Sequence, residues 1–359
     1  MATKFDNIST LRSFNQQITN PKFKSANEIA SCMGALQAQD YAMSKWALGI
    51  RLQNSTEAAI NMEFNSGNII RTHLLRPTWH IVSSKDIYWI SSLTAPRIKA
   101  SLKFRDKQLG LTDIIYHKCH RILEKSLRDS NHQTREALIL ELKKSKIDVE
   151  ENRASHIFLR AELDGIICSG KQKEGKPTYA ILEEWVPEHN KTHREEALKE
   201  LAKRYFTSRG PALIQDFTWW SGLSLRDVKL ALDFNKGCLI SEVIQNQTYW
   251  MADTYSEPTP DSAEIYFLPA FDEFLISYRD RTASLLLVDN KKVISVNGIF
   301  YPIVMKCGQV IGSWKRNIRN NHVLFTKNLF KSGTSDQDIN FLRSINRYSN
   351  FIGKTIELI

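Results

Sequence analysis

Three times along the chain, two short segments with apolar residues three and four positions apart lead into two alternating, β-branched segments around a tight connection. A helix-spaced apolar face cannot lie flat in a sheet, so each round must fold as helices followed by a hairpin. The first round opens with "SANE", in which Ser25 and Glu28 have the spacing of a capping box that starts a helix. Ile29, Met33 and Leu36 give that helix its apolar face, and the period fails at Asp40. A second helix carries Met43, Trp46, Ala47 and Ile50; a third runs roughly from Thr56 to Phe64 and ends near Gly67. "IIRTHLLRPTWHIVS", Ile69 to Ser83, then reads as a hairpin broken at Arg76-Pro77.

The second round pairs the helices "TREALILELKKSK" and "ENRASHIFLRAELDG" with the strands of "IICSGKQKEGKPTYAILEEW", joined by a Lys- and Gly-rich tip. In the third, "GPALIQDFTWWSGLSLRDVKLALDF" ends one helix at Gly222 and turns through Leu223-Ser224 into another, before the strands of "CLISEVIQNQTYWM". Helix, turn, helix and β-wing in tandem predict an α+β chain of winged-helix units. The expected divisions are residues 1–100, 101–190 and 191–255, followed by a β-rich C-terminal part, 256–359, closed by the helix of "DQDINFLRSINRYSNFIG". That last part is expected to pack on the third unit.

A length of 359 residues, 42% hydrophobic and 25% charged, suits a globular protein of two or three domains. No apolar run is long enough to span a bilayer, and "MATKFDNISTLRSF" has no apolar signal core, so a cytoplasmic address is expected, with no membrane partner. Cys32, Cys119, Cys168, Cys238 and Cys307 are dispersed and odd in number, which predicts buried free thiols. His189 and His193 stand four apart without the acidic residue of a zinc-protease helix and read as solvated. No metal or cofactor is expected. The charge is more pointed: 49 Lys and Arg against 39 Asp and Glu leave +10, an excess that draws polyanions, nucleic acid first.

Gln37 and Gln39 stand where the first helix loses its apolar period. In a continuing helix their side chains would diverge by about 200°. In extended chain, positions two apart share a side, and the small Ala38 between them would not obstruct a ligand. The spacing therefore predicts two convergent amides at a helix–loop junction, both reaching a concave surface; the alternative is solvent-facing decoration. "QAQD" between two helices resembles the QΦQ motif of AlkZ-type DNA glycosylases, and the likeness continues through "RTHLLRPTWHIV", "RGPALIQDFTWWSGL", "LPAFDEFLISYRDR" and "GIFYPIVMKCGQVIGSWKR". It covers nearly the whole chain. The resemblance implies tandem winged helices in a C-shaped DNA cradle and removal of N7-alkylated purines, in some relatives with unhooking of interstrand crosslinks. A related branch carries aspartate at the second glutamine; Gln39 places this sequence nearer the AlkZ-like branch.

Two amides suit such a reaction. An alkylated purine already bears positive charge, so its departure needs little acid. A glutamine does not titrate, but its carbonyl oxygen can orient a water and face the developing oxocarbenium charge. Asp40, the nearby carboxylate, reads first as the N-cap of the next helix. A Schiff-base lysine, which strand cleavage would require, is absent from the motif, so the expected enzyme is a monofunctional DNA glycosylase working as a monomer. Its rivals are a non-catalytic winged-helix regulator and an enzyme acting on a non-DNA nucleoside.

Arg71, Arg76 and His80 on the first hairpin are candidates for phosphate contacts, against a solvated strand face. Lys171, Lys173 and Lys176 at the second wing tip, and Lys315, Arg316 and Arg319 after Trp314, carry the same two readings. Trp219 and Trp220 are both assigned to the core. Adjacent Asp272 and Glu273 should diverge and act structurally or as partners of Arg279 and Arg281. Binding to double-stranded DNA is expected to weaken steeply with salt and to show little sequence preference. Each phosphate contact removed by mutation should lower the slope of log affinity against log salt by about one unit; strong preference for one operator-like duplex would favour the regulator.

Overall fold

The "SANE" capping box forms as its spacing requires: the Ser25 hydroxyl accepts from the Glu28 amide at 3.2 Å, and the Glu28 carboxylate accepts from the Ser25 amide at 2.9 Å. The computed structural model describes residues 8–186, 192–253, 264–330 and 339–359, so His189 lies outside the described residues. Helix α1 (Ile8–Asn15) precedes α2 (Ala26–Met33), strand β1 (Leu36–Gln37), α3 (Tyr41–Gly49), α4 (Glu57–Asn65), β2 (Ile69–Leu74) and β3 (Thr78–Ser83). A second set follows: α5 (Ile87–Gln108), α6 (Asp113–Leu127), β4 (Gln133–Thr134), α7 (Arg135–Lys144), α8 (Arg153–Leu163), β5 (Ile167–Lys173), β6 (Lys176–Ile181) and α9 (Leu182–Trp185). The third comprises α10 (Arg194–Arg209), β7 (Ala212–Leu213), α11 (Ile214–Ser221), α12 (Leu225–Asp233), β8 (Leu239–Ile244) and β9 (Gln247–Ala252).

Each set makes a three-stranded antiparallel sheet in which the hairpin receives a two-residue strand from among the helices, in the orders β1-β3-β2, β4-β6-β5 and β7-β9-β8. Those short strands escape a periodicity argument, because two residues define no period. Helices α5 and α10 escape it too. Pro96 sits inside α5, where a sequence reading sees a break.

The C-terminal part is β-rich. Strand β10 (Ile265–Leu268), α13 (Glu273–Ile276), α14 (Asn290–Val293), β11 (Ile303–Lys306), β12 (Gln309–Ile318), β13 (His322–Leu329), α15 (Ile339–Ile352) and β14 (Thr355–Leu358) build a five-stranded sheet in sequential order. Only its last pair, β13 with β14, is parallel. This sheet does not pack chiefly on the third set, as the sequence suggested. It shares one core with the first: Trp46 lies against Tyr348 and Phe351, and its indole N–H donates to Phe267 O at 2.7 Å. The reason is α3, which buries Met43, Trp46, Ala47 and Leu48 and so needs apolar cover on more than one side. What does reach the third set is the stretch around α13, where Tyr205 OH donates to Ser277 O at 2.9 Å and Trp220 to Glu273 at 3.0 Å.

The cysteines are free, but only Cys119 and Cys168 are buried; Cys307 is exposed.

The turn of the first hairpin is not a free tip. Leu75 is buried with φ +59°, and it abuts Gly222, the left-handed C-cap of α11. A Cβ on Gly222 would stand 2.4 Å from Leu75 O, and its φ of +68° disfavours any other residue. Gly222→Ala is therefore expected to lower stability by more than about 1 kcal/mol in urea denaturation, with a loss of fixed geometry at Arg76; a neutral substitution would show that this contact does not hold the turn.

Candidate active site

Helix α2 stops at Gly34 (φ +73°), and the chain extends. Leu36 and Gln37 pair with Ile81 and His80, and the Ala38 amide donates to Trp79 O at 2.7 Å. Gln37 therefore closes a two-residue edge strand beyond the helix end, and Ala38 leads on to Gln39 and Asp40 in a bend before α3. Asp40 then caps α3, accepting from the Met43 amide at 3.0 Å. Arg71 fixes the middle of the motif: its Nε donates to Ala38 O at 3.0 Å while its guanidinium lies 4.1 Å from the Trp79 ring centre.

Beneath the strand lies a buried ion pair. The Gln37 amide donates to Glu273 Oε1 at 2.6 Å. Glu273 Oε2 accepts from Arg209 Nη2 at 2.8 Å, from Trp220 Nε1 at 3.0 Å and from the Ser277 hydroxyl. Arg209 also donates to Met33 O and Ala35 O, each at 2.7 Å. Burial by itself would raise the Glu273 carboxyl; Arg209, Ser277 and the Gln37 amide more than reverse this and hold it at about 2. Asp272 faces away and takes Arg51 in a two-pronged pair at 2.8 and 2.9 Å. The two carboxylates diverge as expected, but their partners are Arg209 and Arg51, not Arg279 and Arg281.

The two amides differ in environment. Gln39 is exposed, its Oε1 3.4 Å from the Trp79 amide. Gln37 is 6% exposed, and its Oε1 accepts from Arg76 Nη2 at 2.8 Å. The expectation that both reach an open surface therefore fails for Gln37, which lies below the surface and faces Arg76, and its burial counts against direct contact of Gln37 with the water. His80 is fully buried, with Nδ1 2.9 Å from Thr78 O and Nε2 unpartnered. Burial first, then the charge of Arg76, push it down to about 3, so it is neutral at ordinary pH and cannot sit on a phosphate. Strand alternation alone does not tell which face of a hairpin is covered.

Arg71 also lines a cavity of about 610 Å³ between the first and second sheets, with Tyr41, Trp79, Arg135, Lys176 and Tyr179 around it; neither glutamine lines it. Lys171, Lys173 and Lys176 are exposed on the β5–β6 hairpin. Lys315 is exposed, whereas Arg316 is half-buried and bonded to the Tyr348 hydroxyl. Of the tryptophan pair only Trp220 belongs to the core. Trp219 is 43% exposed, its Nε1 donates to Ile276 O at 3.1 Å, and the guanidinium groups of Arg76 and Arg281 lie 5.5 and 5.8 Å from its ring centre. Sequence reasoning missed Trp219 and Arg281 at this site; helical phase, with Phe217 and Trp220 inward on α11, was the signal that leaves Trp219 outward.

A family model described as DNA glycosylase AlkZ-like matches residues 30–351. Among curated proteins, the "Interstrand DNA cross-link repair glycosylase" of Streptomyces sahachiroi is 23% identical over 325 residues, covering 85% of each chain. Among solved structures, the Streptomyces sahachiroi DNA glycosylase AlkZ superposes with a TM-score of 0.81 over the full length of both chains at 18% identity.

The buried His80 carries a pH signature. Its folded-state value of about 3 lies below the ordinary 6.5, so below pH 6.5 the unfolded chain binds a proton that the native state refuses. Stability should therefore fall as pH drops from 6.5 toward 3, by about 1.4 kcal/mol per pH unit from this group. Glu273, depressed from 4.5, adds its own loss as pH falls from 4.5 toward 2. His80→Gln is expected to flatten the upper limb of a stability–pH profile measured in urea; an unchanged slope there would contradict a neutral, buried His80.

Proposed function

Because the chain belongs to the AlkZ-like DNA glycosylase family, and is thus a hydrolase of N-glycosyl bonds, we propose that it releases N7-alkylated purines from duplex DNA with Gln39 arranging the attacking water and the buried Gln37 supporting it. The observation that carries this reading is the pair of unequal amides two residues apart, Gln37 closing the edge strand and Gln39 in the bend that follows it. Gln39 offers an exposed carbonyl oxygen to a water and to the anomeric carbon. Gln37, held by Arg76, fixes the neighbouring polar surface on which the sugar rests. The alkylated base leaves as a neutral purine, so no strong acid is required. Orientation and electrostatic complementarity to the oxocarbenium-like transition state supply the acceleration.

In this reading each three-stranded sheet with its helices is a winged-helix unit. The divisions at residues 1–100, 101–190, 191–255 and 256–359 make a C-shaped cradle for a monomer working on cytoplasmic DNA. Arg71, Arg76, Lys171, Lys173, Lys176, Lys315 and Arg316 supply positive charge toward phosphates, whereas His80 stands beside Gln37 on the neighbouring strand. The name of the Streptomyces relative supports including interstrand crosslinks among the substrates, since a crosslink through purine N7 places the same cationic leaving group in both strands.

Incubation with duplexes carrying N7-methylguanine or an N7-linked crosslink, with detection of free base and abasic sites, tests the proposal. Gln39→Ala should lower single-turnover excision by about a hundredfold, by analogy with the loss of one preorganised polar group, while duplex affinity, set by phosphate contacts, changes little. Gln39→Asp should retain activity through the same acceptor on a shorter arm, and Gln37→Ala should lose less than Gln39→Ala. Wild-type excision rates in a well-folded Gln37→Ala, Gln39→Ala double variant would refute the mechanism, and duplex binding without any base release would favour the non-catalytic regulator.

A further inference from the structure

We propose that Arg76, Trp219 and Arg281 form a built site for one backbone phosphate diester of the DNA strand, immediately beside Gln37; the identity of the strand as substrate rests on the function proposed above. Both guanidinium groups lie against the same indole, at 5.5 and 5.8 Å from its ring centre. Neither has a carboxylate within 4 Å among the described residues. The acids nearest in charge are committed elsewhere: Glu273 to Arg209, Trp220 and the Gln37 amide, and Asp216 to Arg12 at 3.6 Å and to the amides of Leu213, Arg279 and Asp280.

Arg76 gives one Nη to Gln37, and its buried Nε has no partner among the described residues. Arg281 spends Nε on Leu275 O and Nη1 on Arg279 O at 3.3 Å, and among the described residues no bond engages its Nη2. Burial lowers both guanidinium groups, Arg281 to about 10; the charge of Arg76 adds to the lowering at Arg281, and that of Arg209 to the lowering at Arg76. Two partly buried positive charges around one indole, with no carboxylate within 4 Å among the described residues, are costly for the empty protein. An anion with several acceptor oxygens removes both the repulsion and the orphaned N–H, and arginine forks match the geometry of a phosphate. Trp219, anchored through Nε1 to Ile276 O, keeps the two groups in place and leaves part of its ring exposed toward the adjoining deoxyribose. Since Arg76 holds Gln37 Oε1 at 2.8 Å, the phosphate it binds sets the register of the nucleotide whose sugar meets the glutamines.

A cycle of protein and substrate changes tests this. Duplexes in which single diester linkages flanking the lesion position are replaced by uncharged methylphosphonate are bound to wild type, Arg281→Gln and Arg281→Lys by fluorescence anisotropy. Undamaged duplex of the same sequence serves as a parallel series. At one linkage, wild type should lose about tenfold in affinity for lesion-bearing duplex, as expected for a charge-assisted pair of about 1.4 kcal/mol. Arg281→Gln should lose a similar factor with the natural linkage and almost nothing more with methylphosphonate, and Arg281→Lys should recover part of the loss. Multiplicative losses at every linkage, or a wild type indifferent to all of them, would overturn the site. Base release is measured separately: its absence in wild type would overturn the glycosylase reading, while the affinity cycle would still decide the phosphate site.

Discussion

The buried pair of Glu273 and Arg209 is the constraint on which the candidate site depends. One carboxylate joins four pieces of chain that are distant in sequence: the end of α10, helix α11 through Trp220, α13 itself and the amide of Gln37. Arg209 closes the circuit on the carbonyl groups of Met33 and Ala35, so the backbone on both sides of the α2–β1 bend is bonded to one charge pair. A pair this deep contributes little net stability against an apolar replacement, yet removing one partner strands a buried charge, at a cost of about 3–5 kcal/mol. Its value lies in specifying one position for the edge strand.

Above that pair, polar contacts divide the two glutamines. Arg76 and Arg71 approach the motif from the same hairpin, one taking the Gln37 side-chain oxygen and the other the Ala38 carbonyl. Arg76 is held because the hairpin turn at Leu75 is pressed against Gly222. The third set of helices thus reaches the motif through a turn that belongs to the first. Charge that is satisfied lies beneath the strand, and charge that is not satisfied lies beside it at Trp219. This is the distribution expected of a surface whose missing counter-ions arrive with a polyanion.

Much of this was legible in the sequence where a local rule applies. The capping box at Ser25, the hairpin broken at Arg76-Pro77, the Gly222 stop and the Asp40 N-cap each follow from a few adjacent residues. The three short strands were not legible, because two residues carry no period and their pairing is decided by the hairpin they join. Tertiary cover was equally hidden. His80 and Gln37 alternate like surface residues but lie under Arg76 and α13, and α3 gave no sign that its second apolar side awaited the C-terminal sheet. Trp219 and Trp220 differ in kind, since the helical phase shared by Phe217 and Trp220 leaves Trp219 outward, a signal that residue type alone hides.

Single-turnover base excision by Glu273→Gln, in protein whose circular dichroism matches wild type, tests the central claim most directly. Glu273 is buried beneath the strand, so a role confined to general stability would leave the rate of the folded enzyme unchanged. If the buried pair positions the glutamine strand, excision should fall by about a hundredfold, comparable to losing a preorganised group at the site itself, with hydrogen exchange at the Gln37 amide accelerated in parallel. A folded Glu273→Gln enzyme excising at the wild-type rate, with the Gln37 amide still protected, would contradict the account.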